Sequence, residues 1–274
     1  MSNFIRYLLY RSKDYEIASV DRLANECDAK RIYVHRNHKF YLGDVTDRHF
    51  MERVIHLERP DVVVNGIGYN EKRVDQFRHV GSISVVRELL EHNIPIVQLV
   101  QSPGLDALGT GNLIANLTFR DQRNAVISLP NCFGFRQKTD SGLAFVINEM
   151  MSGRLVVPET FAPTSWAYAE DVASLIWFVI ENGISGEVAM PVLGIITLGD
   201  LANLLAEILE TTFETTDKHI DAFSDSDSIW TAMMMECSFK TENIEKWSPD
   251  SSSLKDTIAK TARWYKVNRW AIEL

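Results

Sequence analysis

The sequence predicts an α/β protein with a doubly wound parallel sheet and a small mixed C-terminal lobe. Short runs rich in valine and isoleucine alternate with helical patterns from residue 16 to residue 130. These runs are apolar almost throughout, which is typical of strands covered by helices on both faces. After about residue 135 helical patterns dominate. A parallel sheet with helical crossovers, followed by a helix-rich lobe, explains these observations.

Five runs have the length and composition of strands: EIASV (16 to 20), KFYLGDV (39 to 45), DVVVNGIG (61 to 68), IPIVQLV (94 to 100) and NAVISLP (124 to 130). Helical patterns lie between them at 48 to 58 and 74 to 93. In the first of these, Phe50, Val54 and Leu57 fall on one face, which we expect to be buried.

Residues 3 to 10, NFIRYLLY, come before the first of these strands. A helix would place Phe4, Ile5, Leu8 and Leu9 on one face, so a helix is the preferred prediction and a strand the alternative. In the C-terminal half, helical patterns cover 143 to 152, 171 to 182, 199 to 210 and 254 to 268. We predict one domain over 1–135 and a C-terminal lobe over 136–274, with 164–182 packing back on the first domain.

Composition excludes several classes of function. The net charge of −9 and the pI of about 5.3 argue against nucleic acid as a partner. The cysteines Cys27, Cys132 and Cys237 are far apart and lack metal-ligand spacing, so we predict reduced thiols and no metal site. No apolar run is long enough to span a bilayer and no signal peptide is recognisable. We therefore expect a cytoplasmic protein without a membrane partner.

The order of several segments resembles the extended short-chain dehydrogenase/reductases. The segments are VDRL (20 to 23), KFYLGDVTD (39 to 47), PDVVVNGIG (60 to 68), LPNCFGFRQ (129 to 137), TSWAYAEDVA (164 to 173) and the tail from 244 to 270. They are most similar to the NAD-dependent epimerase/dehydratase family, typified by dTDP-glucose 4,6-dehydratase. The resemblance implies a Rossmann-like fold, NAD as cofactor and a nucleotide sugar as ligand.

The resemblance also implies roles for individual residues. Six positions match cofactor-binding positions of the family: Asp21, Asp44, Val45, Gly66, Ile67 and Gly68. A carboxylate at the end of the second strand of such a sheet accepts hydrogen bonds from the adenosine ribose. Asn131 matches a substrate-contacting asparagine. Alternatively, the two aspartates could only cap the segments that follow them, and the glycines could serve the turn alone.

The sequence departs from this family where phosphate binding and catalysis are expected. In the family a first strand and a Gly-x-x-Gly-x-x-Gly loop precede the VDRL segment, but here Met1 stands near the position of the last glycine. The lost strand would be the central one. We therefore expect either that its neighbours close up, that another segment or subunit fills the slot, or that residues 3 to 10 form a strand.

The catalytic Tyr-x-x-x-Lys pair of the family is also missing. Leu108 and Asn112 stand at its two positions, and no tyrosine or lysine occurs between Lys72 and Gln137. Ser102 is a weak catalytic candidate, because a serine that precedes a proline at a strand end usually serves a turn. One family arginine that contacts the substrate phosphate corresponds to Thr164. A second family arginine falls in the segment SIWTAMMMEC, which contains no arginine.

Two hypotheses follow from these matches and departures. In the first, the chain is a degenerate homologue of nucleotide-sugar 4,6-dehydratases and epimerases that acts as a binding or partner subunit. In the second, it is an active NAD-dependent enzyme with relocated catalytic groups or with a start codon further upstream. We favour the first and expect no useful affinity for NAD, because adenosine contacts alone leave the pyrophosphate uncompensated. Helices 75–92 and 112–120 match the family's dimer interface, so we expect a homodimer or a heterodimer with an intact paralogue.

Overall fold

The computed structural model describes residues 1–11, 14–23, 32–66, 76–101, 118, 121–137, 142–158, 163–216, 244–251 and 253–271. The helices in these ranges are α1 (Ser2–Arg11), α2 (Arg48–Glu58), α3 (Gln76–Glu91), α4 (Gly142–Met151), α5 (Ala169–Glu181), α6 (Leu198–Leu209) and α7 (Leu254–Val267), with a 3-10 turn at Arg269–Ala271. None of the helices in this part of the chain is long and apolar enough to cross a membrane.

The strands are β1 (Ile17–Asp21), β2 (His38–Leu42), β3 (Val63–Asn65), β4 (Ile96–Gln101), β5 (Ala125–Leu129), β6 (Asn131–Phe133), β7 (Val156–Pro158), β8 (Thr164–Tyr168), β9 (Gly186–Ala189), β10 (Gly194–Ile196) and β11 (Glu214–Thr216). The first five confirm the five strands predicted from sequence, and the α/β class with parallel sheets is confirmed as well. Residues 3 to 10 form the preferred helix rather than a strand.

The chain divides into two compact units. The first comprises Met1–Leu129, Val172–Met190 and Phe239–Ser248, and the second comprises Pro130–Asp171, Pro191–Ser238 and Pro249–Leu274. Because each unit has segments from several parts of the sequence, the chain passes between them more than once.

The parallel sheet of the first unit consists of two separate pieces. One piece is the pair β1-β2, and the other has the strand order β3-β4-β5-β9, with every pairing parallel. Among the described residues no backbone hydrogen bond joins β1 to β3. In the part of the chain that the structure describes, the sheet is therefore divided between β1 and β3.

Helix α2 begins and ends where its sequence predicts, but it buries a different face. Asp47 caps its start by accepting a 3.1 Å hydrogen bond from the Phe50 backbone N–H. The expectation that Leu57 is buried with Phe50 and Val54 is wrong, because Leu57 is 68% exposed. The buried side chains are instead Met51, Val54 and Ile55. The buried stripe starts one residue later than predicted, and Ile55 joins α3 and β4 in an apolar cluster.

The described residues of the second unit form a three-stranded mixed sheet, a separate two-stranded pair and a large apolar core. Strand β8 pairs in parallel with β6 and antiparallel with β10, and β7 pairs in parallel with β11. Helices α4, α6 and α7 cover this core, whose largest members are Trp166, Tyr265 and Phe133. Helix α6 is capped by Thr197 and α7 by Ser253, each accepting a hydrogen bond from the N–H three residues later.

Candidate functional site

The candidate nucleotide site of the first unit lies at the carboxyl ends of β1, β2 and β3. Asp21 is the last residue of β1, Asp44 follows β2 by two residues, and Gly66 comes directly after β3. The backbone N–H of Gly43 donates a 3.1 Å hydrogen bond to the carbonyl oxygen of Asp21, which joins the first two strand ends. Ligands of doubly wound sheets bind at this edge, and the predicted positions Asp21, Asp44 and Gly66 all lie there.

Both aspartates are exposed, and both cap the turn that follows them. Asp21 Oδ1 accepts a 3.0 Å hydrogen bond from the Leu23 N–H. Asp44 Oδ1 accepts two 2.8 Å hydrogen bonds from Thr46, one from its N–H and one from its hydroxyl. The geometry of the capping alternative is therefore present at both positions, although each carboxylate retains its Oδ2 atom for other contacts.

Neighbouring residues favour the ionised form of Asp44. The two hydrogen bonds from Thr46 lower the pKa of Asp44, and the Arg22 guanidinium, 3.9 Å from Asp44 Oδ2, lowers it further. Asp44 consequently remains an acceptor of hydrogen bonds over a wide pH range. Sequence reasoning missed Arg22 and Thr46, although a threonine two residues after an aspartate is a recognisable turn signal.

Gly66 lies against the side chain of Met1. A Cβ atom built on Gly66 would be 2.5 Å from the Met1 Sδ atom and 2.7 Å from its Cγ atom. This is the position where the family resemblance implies a close approach of the cofactor. The thioether of Met1 therefore occupies the space next to Gly66, and no sequence pattern indicated that contact.

The remaining predicted positions differ in how far the structure describes them. Val45 is half-buried and packs against the apolar cluster of α2, α3 and β4. Ile67, Gly68 and the weak catalytic candidate Ser102 lie outside the described residues, as do Leu108 and Asn112. Asn131 is half-buried in the second unit, where it opens β6 beside Trp166 of β8.

Thr164 has a structural role within the second unit. Its hydroxyl accepts a 2.7 Å hydrogen bond from the Trp166 indole N–H and lies 3.2 Å from the Ile196 carbonyl oxygen, to which it donates. The residue is only 3% exposed. Where the resemblance would place an arginine for a phosphate group, this chain therefore has a neutral side chain that stabilises the mixed sheet.

The strand ends supply carboxylates but lack the tyrosine and lysine that the family uses in catalysis. Positions 21–23, 43–47 and 66 carry three carboxylates and one guanidinium, and they include no tyrosine, histidine or lysine. Carboxylates of this kind can accept hydrogen bonds from ribose hydroxyls or from an amine. Proton abstraction coupled to hydride transfer needs a positioned general base in addition.

No protein-family profile matches the chain, and no curated protein matches it either. Several solved structures do match the chain. The dTDP-glucose 4,6-dehydratase of Bacillus anthracis, solved in complex with NAD, has a TM-score of 0.79 at 19% identity, covering 98% of this chain and 94% of that one. The UDP-glucose 4-epimerase of Thermus thermophilus, also in complex with NAD, has a TM-score of 0.78 at 15% identity, covering 97% and 96%.

A third match is the UDP-glucose 4-epimerase of Thermotoga maritima with UDP-glucose. Its TM-score is 0.75 at 16% identity, and the match covers 99% of this chain and 96% of that one. At such low identity the likeness shows the fold. The chain thus has the Rossmann-type α/β fold of the NAD-dependent epimerases and dehydratases, as the sequence resemblance implied.

Proposed function

We propose that this chain is a degenerate relative of the nucleotide-sugar 4,6-dehydratases and epimerases, which acts as a binding or partner subunit without standard NAD-dependent catalysis. The observation that carries the proposal is the contact of Met1 with Gly66. A cofactor that approached this glycine as closely as the resemblance implies would have to displace the Met1 thioether. The proximity of Met1 to Gly66 thus supports the proposal, because Met1 takes up space that a cofactor at this turn would need.

The catalytic positions support the same proposal from the sequence. Leucine and asparagine, at positions 108 and 112, offer neither the phenol that abstracts the proton nor the ammonium group that lowers its pKa. Ser102 remains the only catalytic candidate that we propose, and a serine alone supplies no general base. Standard dehydration or epimerisation therefore has no proton acceptor at the two matched catalytic positions, Leu108 and Asn112.

Cofactor binding is proposed to be weak for a separate reason. NAD is the cofactor that the resemblance implies, through Asp21, Asp44 and Val45 at the adenosine end and the turn at Gly66 to Gly68. None of these matched positions is a lysine or arginine that could neutralise the pyrophosphate. Binding would then have to offset the loss of translational freedom largely with adenosine contacts.

A nucleotide-sugar substrate would likewise lack binding partners for its diphosphate. Charge-assisted hydrogen bonds from arginine are the usual partners of a diphosphate. Thr164, at one such position, is buried and bonded to Trp166 and Ile196. We propose a homodimer, or a heterodimer with an intact paralogue, as the assembly in which this chain works, with Asn131 as its remaining substrate contact.

One observation favours a second candidate function, an active NAD-dependent nucleotide-sugar enzyme with relocated catalytic groups. Asp21 and Asp44 are both exposed at adjoining strand ends, and the low pKa of Asp44 keeps it charged. This is the arrangement that an adenosine ribose and its base would require.

Calorimetric titration of the purified chain with NAD, NADH, dTDP-glucose and UDP-glucose tests the proposal. We expect no heat of binding at micromolar concentrations of any of the four. The matched control is the double variant Asp21→Asn, Asp44→Asn, which removes both carboxylate acceptors and keeps the size of the side chains. Micromolar binding of a dinucleotide that this double variant weakens would refute the proposal and establish the second candidate.

A further inference from the structure

We propose that a groove at the end of α3 binds a small zwitterion, a molecule that carries both an ammonium group and a carboxylate. The groove has a volume of about 700 Å³ and is lined by Leu90, Glu91, Asp121, Gln122 and Arg123. Sites for small molecules usually have volumes of roughly 300–1,000 Å³. The inference goes beyond the partner role proposed above, because it assigns a ligand that is not a nucleotide.

The groove lies at the edge of the sheet opposite the candidate nucleotide site. Glu91 is the last residue of α3, and β4 begins shortly afterwards at Ile96. Arg123 comes two residues before β5, which begins at Ala125. The groove is therefore close to the amino ends of β4 and β5, whereas the candidate nucleotide site is at the carboxyl ends of strands. The two sites can be tested separately.

Arg123 supplies a guanidinium group that is held in position by two residues. Its Nε atom donates a 3.1 Å hydrogen bond to Asp121 Oδ1. Its Nη2 atom donates to the side-chain oxygen of Asn93 over 2.6 Å and to the Asn93 carbonyl oxygen over 3.2 Å. No residue in the described ranges accepts a hydrogen bond from Nη1. A guanidinium fixed in this way keeps two N–H donors for a carboxylate and loses little side-chain entropy on binding.

Glu91 supplies the acceptor for an ammonium group. Its Oε2 atom accepts a 2.8 Å hydrogen bond from Arg48 Nη2, while Arg48 Nε donates to Glu52 over 2.9 Å. In the part of the chain that the structure describes, nothing donates to Glu91 Oε1. Glu91 also ends α3, where the last carbonyl groups of a helix carry partial negative charge. Both the carboxylate and the helix end therefore favour a cation at this side of the groove.

The other lining residues favour an apolar chain between the two charges of the ligand. Leu90 is half-buried and adds apolar surface to the groove. The exposed amide of Gln122 can donate to a carboxylate that also contacts Arg123. The groove thus offers donors for a carboxylate, an acceptor for an ammonium group and an apolar surface. A linear amino acid with a terminal amine combines these three features.

Titration of the full chain with glycine, 4-aminobutyrate and 6-aminohexanoate tests the inference. The three amino acids differ in the length of the chain between their charges, so the best ligand reports the separation of the two binding groups. Amide NMR signals of Gln122 and Arg123, together with the Arg123 Nε–H signal, follow the binding. We expect a dissociation constant of about 1–10 mM for the best ligand, because two partly exposed ion pairs contribute little.

The charges of the ligand and of the groove can then be removed one at a time. The N-acetyl derivative of the best ligand lacks the ammonium group, and its carboxamide lacks the carboxylate. Each should bind about fivefold more weakly or worse. Glu91→Gln should weaken the best ligand to a similar degree. Glu52→Gln is the matched control, because Glu52 also accepts a hydrogen bond from Arg48 but does not line the groove. It should leave the affinity unchanged.

Three results would overturn the inference. None of the three amino acids could shift the signals of Gln122 and Arg123, the uncharged derivatives could bind as well as their parent, or Glu91→Gln and Glu52→Gln could have equal effects. Arg123 would then serve only to join the end of α3 to the segment before β5. The nucleotide titration is a separate readout, because its outcome depends on residues at the opposite edge of the sheet.

Discussion

The side-chain oxygen of Asn124 accepts a 2.8 Å hydrogen bond from the backbone N–H of Ile96, the first residue of β4. The amide nitrogen of the same side chain donates over 2.7 Å to the carbonyl oxygen of Thr118. Asn124 is 1% exposed, so water cannot replace these bonds. The Asn124 side chain, in the segment that leads into β5, thus provides the hydrogen-bond acceptor for the first N–H of β4.

Replacing this asparagine should therefore destabilise the first unit. We expect Asn124→Ala to leave the buried N–H of Ile96 without an acceptor and to lower the free energy of unfolding by about 1–3 kcal/mol. Urea denaturation followed by circular dichroism measures the change. The control Gln122→Ala, at an exposed neighbouring position, should remain within about 0.5 kcal/mol of the unchanged chain. Equal effects of the two substitutions would contradict the role assigned to Asn124.

Two glycines offer a graded test of packing. A Cβ atom on Gly43 would be 2.2 Å from the Phe50 ring, and one on Gly66 would be 2.5 Å from Met1 Sδ. The ring is rigid, whereas the methionine side chain has three rotatable bonds and can move aside. We expect Gly43→Ala to cost about 1–3 kcal/mol of stability and Gly66→Ala to cost clearly less. Thermal unfolding of the two variants, compared side by side, would contradict this if their order were reversed.

Asp171 should make the stability depend on pH. Burial raises the pKa of Asp171, and its Oδ1 atom accepts hydrogen bonds from the backbone N–H groups of Asp250 and Ser251, at 3.0 and 3.2 Å. A carboxyl whose pKa is higher in the folded state binds its proton more tightly there. Its contribution to stability therefore decreases as the pH rises from its ordinary pKa of 3.8 through the raised value.

Two substitutions separate the charge of Asp171 from its hydrogen bonds. Asp171→Asn keeps an oxygen acceptor and removes the titration, so we expect a flatter profile of unfolding free energy against pH. Asp171→Ala leaves the two N–H groups without this acceptor and should cost about 1–3 kcal/mol, with the larger cost at the lower pH. Urea unfolding across a pH series measures both variants. An unchanged pH profile in Asp171→Asn would show that this carboxyl does not titrate differently on folding.

Glu58 should have the opposite pH dependence. A hydrogen bond from the Tyr41 hydroxyl lowers the pKa of Glu58, and a second one from Lys39 Nζ, at 3.0 Å, lowers it further. The stability that these bonds contribute is complete above the ordinary pKa of 4.5 and is lost as the pH falls through the lowered value. We therefore expect Tyr41→Phe to reduce stability more at pH 7 than at pH 3. A difference that grew on acidification would contradict the assignment.

Sequence patterns predicted elements better than they predicted contacts. Helix α2 has the predicted bounds because Asp47 supplies a local cap, and local signals suffice to place a helix end. The predicted buried face of α2 was wrong because the sequence does not show which of the apolar residues Ile55 and Leu57 is packed against α3. Helical periodicity limits which faces of a helix can be buried, and tertiary packing determines which of them is buried.

In the candidate site, too, the sequence predicted positions better than it predicted contacts. Asp21 and Asp44 could be placed at strand ends because runs of β-branched residues end beside them. The contact of Met1 with Gly66 joins residues far apart in sequence, and no short pattern encodes such a contact. Thr164 could be recognised as a missing arginine, but its bond to Trp166 within β8 and its bond to Ile196 of β10 could be read only from the folded sheet.

The break between β1 and β3 has a consequence for how the first unit unfolds. A two-stranded ribbon is only marginally stable by itself, and the pair β1-β2 is not hydrogen-bonded to the four-stranded piece among the described residues. The two pieces need not melt together. The β1-β2 ribbon, together with the carboxylates of Asp21 and Asp44 at its end, is therefore expected to open in a low-energy, sub-global transition while β4 and β5 remain folded.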